Sequence, residues 1–148
     1  MNEGMKVHGE LSLALRKADG QIVEKRKANM IVDAGFDLIA DALGSPTRPA
    51  LLSHIAVGDD NTNTAAAAGQ TALLSEIFRK AATYAHTAGT KTFTLSTTLA
   101  TGEATGALTE AGVFNADTAG TMFDRVVFDV VNKGADDSID MTFTFTLS

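Results

Sequence analysis

From residue 139 the chain reads Ile-Asp-Met-Thr-Phe-Thr-Phe-Thr-Leu, with Ile139, Met141, Phe143, Phe145 and Leu147 apolar and Asp140, Thr142, Thr144 and Thr146 polar. Successive side chains of a strand point to opposite faces, so a period of two predicts a strand with one greasy face and one hydroxyl face. A helix would scatter the same residues around its circumference. Two other segments share the period. Val7, Gly9, Leu11, Leu13 and Leu15 alternate with polar or small residues, and Phe93, Leu95, Thr97 and Leu99 define one face of a strand over residues 91–101.

The remaining elements follow from turn and helix signals. Asp19-Gly20 marks a hairpin. Its return strand, residues 22–28, carries Lys25-Arg26-Lys27, read as a sheet edge protected by charge. Asp33 is read as the N-cap of a helix whose apolar side is Phe36, Ile39, Ala40 and Leu43, ended by Gly44 and serving as a lid. Residues 52–57 read as an inner strand, 58–70 as a long loop or arm, and 71–75 as one helical turn. Residues 76–84 are taken as a strand because strands flank them. Residues 109–114 form a short strand and 122–132 a longer one, apolar on both faces. One of its two faces, Val127 or Phe128, is expected to meet another subunit. Seven to nine strands and one helix in a single domain predict an all-β, jelly-roll-like antiparallel β-sandwich with one short helix.

Composition narrows the function. A chain of 148 residues that is 45% hydrophobic can bury one core without covalent staples, and the lack of cysteine excludes disulfides and thiolate metal sites. A formal charge of −6 argues against coating nucleic acid, which needs clustered Lys and Arg. No apolar run suits a signal peptide or a membrane span, so a cytosolic origin and no membrane partner are expected. The histidines His8, His54 and His86 lack metal-ligand spacing and are read as surface or sheet-face residues. Asp59-Asp60-Asn61-Thr62-Asn63 begins like a calcium loop. It has Thr64 where the sharp turn needs Gly and Gln70 where a bidentate Glu belongs, so a solvated Asx-rich turn is the reading. Glu103 and Glu110 form a weak carboxylate pair, with no Trp and one Tyr to stack a sugar. No nucleophile, phosphate or dinucleotide motif appears. The expectation is a non-enzyme, with no catalytic residue, cofactor or metal.

Several segments carry a resemblance. They are His54-Ile-Ala-Val-Gly58 with its Thr/Ala-rich sequel, Thr71-Ala-Leu73, and Glu76-Ile-Phe-Arg79. Thr109-Glu-Ala-Gly-Val-Phe-Asn115, Gly120-Thr-Met-Phe-Asp-Arg125, Val130-Val-Asn-Lys133 and the stretch from Asp136 through the C-terminal alternation extend the pattern. Together, over residues 53–148, these resemble small virion structural proteins of tailed bacteriophages, most of all the capsid cement (decoration) proteins of podoviruses. The resemblance implies a sandwich docked on the outer surface of the virus head, bridging subunits of the major capsid protein, as a homo-oligomer with a dimer favoured. It implies no catalytic residue. Candidate interface residues are Asn2, Glu3 and Met5 of an N-terminal arm, Asp59, Asp60 and Asn61 of the long loop, and Val127 and Phe128. Arm and loop are expected to clamp by ordering on binding. A tail or tail-fibre module and a host-glycan binding module are the alternatives.

Overall fold

The computed structural model describes residues 4–148. Nine strands and one helix are present: β1 Val7–Arg16, β2 Ile22–Ile31, α1 Asp33–Gly44, β3 His54–Gly58, β4 Glu76–Ala81, β5 Thr83–His86, β6 Thr92–Leu99, β7 Gly106–Phe114, β8 Asp124–Lys133 and β9 Ser138–Leu147. All pairings are antiparallel, in the order β4-β3-β7-β8-β2-β1-β9-β6-β5. The fold is an all-β sandwich in which one sheet folds over into two layers. One layer is β2-β1-β9-β6-β5 and the other β4-β3-β7-β8.

Alternation decides what lies between the layers. β9 pairs along its length with β1 on one side and β6 on the other, so Leu11, Phe143 and Leu95 stand in one row and Leu13 and Met141 in the next. These side chains are buried against Ile55, Val57, Leu108, Val113, Val126 and Phe128 of the facing layer. The Phe145 ring lies tilted against Phe93, centroids 5.1 Å apart, and meets Phe123 edge-on at 5.0 Å. Each such buried side chain contributes roughly 1.5–3 kcal/mol of transfer free energy.

The layers join differently on their two sides. Residues 76–86 are nearly one continuous strand that changes layer at Ala82: β4 pairs with β3, β5 pairs with β6, and the Ala82 N–H donates to Ser53 O. Lys80 reinforces this side, donating to Thr98 O and to Glu103 Oε1, each at 2.7 Å. That bond holds the Glu103 carboxyl below its ordinary range. The other side is held by a short joint, Met30 opposite Arg125 and Ile31 opposite Asp124. Beyond it, β2 from Ile22 to Asn29 and β8 from Val126 onward have ladders on one side only. Lys25-Arg26-Lys27 therefore occupies a free edge, as the sequence implied.

Three local expectations need correction. The helix buries Gly35 and Leu38 and leaves Phe36 and Leu43 48% and 76% exposed. Gly35 sets this rotation, because its lack of a side chain lets the helix press on the Phe123 carbonyl, where a Cβ would collide. The N-cap is Val32, without a side-chain cap bond, and Asp33 is the first helical residue. Residues 71–75 form no helical turn, since the backbone N–H groups of Leu74 and Ser75 are taken by a carboxylate.

Replacing Phe143, fully buried at the centre of the core, with Ala is expected to cost about 3–5 kcal/mol in urea unfolding, whereas Phe36→Ala changes stability by about 0.5 kcal/mol or less. Equal costs would mean that the helix buries the face its spacing suggested.

Candidate interaction surface

Among the charged residues with no exposure are Glu110 on β7 and Arg125 on β8. Both point to the outer side of the four-stranded layer, and Arg125 Nε donates to Glu110 Oε1 at 3.0 Å. Glu110 also accepts the Leu74 N–H at 3.0 Å and the Ser75 N–H at 2.7 Å, while Arg125 Nη1 donates to Thr64 O at 3.1 Å and to Gln70 Oε1 at 3.3 Å. Gly58 makes room, since a Cβ there would meet the Glu110 carboxylate. The ion pair thus fastens residues 59–75 over the sheet as a partial third layer. Val32, Ala56, Leu73, Phe114 and Met122 form a small second core in the same layer. The long loop is anchored at Thr64, Gln70, Leu74 and Ser75, so it is preformed rather than waiting to order on a partner.

The turn after β7 is fixed by another cation. Arg79 lies over the Phe114 ring, 3.8 Å from its centroid, and donates to Ala116 O and Ala119 O. Its remaining donors pair with Glu76.

Asp124 precedes Arg125 and so faces the opposite side, toward the core at the β2–β8 joint. It is fully buried, accepting Val113 N–H at 2.9 Å and Asn29 Nδ2 at 2.7 Å. No cation offsets its charge. Burial pushes its carboxyl up from 3.8 to about 8, opposed by the Val113 N–H. Asn29 Oδ1 beside it is buried without a partner. A half-turn of that amide supplies an acceptor for the proton of neutral Asp124.

The outer side of β8 borders a groove of about 750 Å³ between β2 and the long loop. Asp59, Asp60, Asn61, Val127 and Phe128, proposed from sequence on separate elements, all line it. Their roles differ. Phe128 is 8% exposed and belongs to the core, while Val127 is half-buried beside the loop. The Phe128 side of β8 is thus core, while Val127 stays half-buried and Val130 is 48% exposed. Asp59 accepts from Ser75 Oγ, and Asp60 accepts from the Thr62 hydroxyl, an Asx-type turn. Met5 is 64% exposed and stands away from this groove at the start of β1. Asn2 and Glu3 lie outside the described residues. His8, His54 and His86 stay on separate strands, and among the described residues no three His, Asp or Glu side chains gather as a metal site. Glu103 and Glu110 bind different cations, Lys80 and Arg125. Comparison of the chain with protein-family models, with curated proteins and with solved structures finds no match.

Arg125→Met leaves Glu110 as an unpaired buried charge. A loss of about 3–5 kcal/mol is expected, with faster amide exchange at Leu74 and Ser75. A loss below about 1 kcal/mol with unchanged exchange would show that the pair does not hold the loop. Asp124 predicts a pH dependence. The folded chain keeps its proton up to about pH 8, whereas the unfolded chain releases it near 3.8, so stability falls as pH rises through that window and then levels. Asp124→Asn should abolish that component of the slope in urea unfolding followed from about pH 5 to 8. An unchanged slope would assign it to other groups.

Proposed function

We propose that the protein is a viral structural protein, a capsid cement that binds the outer head surface and bridges major capsid subunits. The observation that carries this reading is the outer face of the five-stranded layer. There, Ser12 of β1 stands opposite Thr142 of β9, which stands opposite Ser96 of β6; Thr144 faces Thr94 and Thr146 faces Thr92 in the following rows. The opposite sides of these same strands are core. The result is a broad, ordered display of short hydroxyl side chains on a rigid support. Short side chains lose little rotamer entropy when a partner covers them. Two pairs of charges at its margins are matched within the chain, Arg16 with Asp140 at 2.9 Å and Arg26 with Glu10 at 3.6 Å.

Such a face suits many modest contacts repeated by symmetry, where avidity replaces strong single contacts. The acidic chain also suits the outside of a shell, away from packaged DNA. The resemblance of residues 53–148 to virion proteins supplies the context in which that face would be used. A dimer is part of the same proposal.

A cryo-electron reconstruction of the virion with this chain labelled tests the reading. Density is expected on the outer shell at capsomer junctions, and Thr144→Arg is expected to lower occupancy while the variant's thermal unfolding stays close to that of the parent chain. Density confined to the tail would discard the capsid-bridging mechanism and assign the same fold to a tail module.

A further inference from the structure

The free edge of β2 carries a charge pattern that fits one kind of partner. β2 residues pair with β1 so that Lys27 is opposite Leu11 and Lys25 opposite Leu13. Leu11 and Leu13 are core residues, so Lys25 and Lys27 sit on the core-facing side of the strand, while Arg26, opposite Ser12, is on the outer side. Lys25, Arg26 and Lys27 line a cleft of about 280 Å³ with Leu11, Leu13 and Phe128 as apolar walls and Asp129 as its one acid. Among the described residues, neither Lys25 nor Lys27 is in an ion pair. On a chain of net charge −6, this concavity has two ammonium groups outside any ion pair against one acid, Arg26 being paired with Glu10 on the outer side.

We infer that the free edge of β2 is a docking site for an extended acidic segment of a partner polypeptide, added as a further strand. From Ile22 to Asn29 the outward backbone N–H and C=O groups of β2 have no ladder partner. Main-chain bonding along such an edge supplies affinity, and side chains at alternate positions supply selectivity. A strand placed there sends every second side chain toward the lysine side, where a carboxylate meets an unpaired ammonium above apolar walls. The same lysines reject the wrong strands. A basic segment, or the β2 of another copy with its own Lys25 and Lys27, meets like charge. β5, a terminal strand of the sheet, has no Lys, Arg, Asp or Glu over Thr83–His86 and offers no such discrimination. This inference stands apart from the capsid reading, because it concerns the edge and not the source of the segment.

The test uses the whole chain, isotope-labelled, and two octapeptides, alternating valine with glutamate or valine with lysine. The expected result is amide shifts within β2 on adding the glutamate peptide, binding roughly ten-fold tighter than the lysine peptide at low salt, and weakening at high salt. The double variant Lys25→Glu, Lys27→Glu is expected to reverse the preference. No binding of either peptide, equal binding of both, shifts confined to other strands, or an edge already occupied by a second copy in the free protein would each overturn the inference. Should the double variant fold poorly, the two-peptide comparison on the unaltered chain decides alone.

Discussion

Everything in this fold depends on the register of β9. It is paired on both sides, to β1 from Val7 to Arg16 and to β6 from Thr92 to Leu99. Its period of two therefore decides at once which side of three neighbouring strands is core and which is displayed. A slip of one residue would turn Phe143 and Phe145 outward and bring threonine hydroxyls into the core, where each would lack a partner. The penalty falls on three strands together, so the register is strongly specified. The hydroxyl face proposed as a contact surface is the other half of the same constraint: it exists because the core needs the odd-numbered residues.

Charge inside the molecule is handled in three ways, each with its own consequence. Arg125 and Glu110 neutralise one another and use their remaining hydrogen-bonding capacity to fasten the long loop, although Arg125 Nη2 stays unpartnered. A buried ion pair of this kind is weak evidence of net stability, because desolvation offsets most of its attraction, but removing one partner is costly. What it supplies is position, since it gives residues 59–75 one place to lie. Lys133 has no carboxylate bonded to it and donates to the Ala100 carbonyl at 3.0 Å; desolvation draws its pKa down. Asp124 has neither cation nor carbonyl and is therefore held neutral. Neighbours in sequence on opposite faces, Asp124 and Arg125 meet the same burial with opposite outcomes.

The strands were legible because burial on one face writes a period of two into β1, β6 and β9, and the DG turn and the lysine-rich edge were legible for equally local reasons. What was not legible depended on partners distant in sequence. Glu110 was read as a weak member of a carboxylate pair with Glu103. Its real partner is fifteen residues further on, in a strand that also carries Asp124, Asp129 and Lys133, so no local signal singled Arg125 out. The helix face misled because Gly35, with no hydrophobic weight, marks the true contact with Phe123. The long loop reads as solvated from its Asx and Ala content. It is ordered largely by backbone N–H and C=O groups that any residue would provide, with Gln70 Oε1 as a side-chain anchor, and composition cannot report that.

The same separation of local from distant explains why one side of the sandwich stays open. Met30 and Ile31 pair with β8, and continuing that ladder toward Lys25 would draw β8 across the core-facing side of β2. Lys27 and Lys25 are the second and third core-side positions beyond Ile31, after Asn29. Closing over them would bury two ammonium groups with a single acid, Asp129, lining the cleft, at a cost the added backbone bonds do not offset. Lys25 is half-buried and Lys27 exposed, and both line the cleft together with Leu11 and Leu13, where a long stem can cover apolar surface while its head stays in water. They therefore do more than discourage stray strands. The ladder ends after two residue pairs, before it would cover that charge, and the open edge beyond it is where the cleft lies.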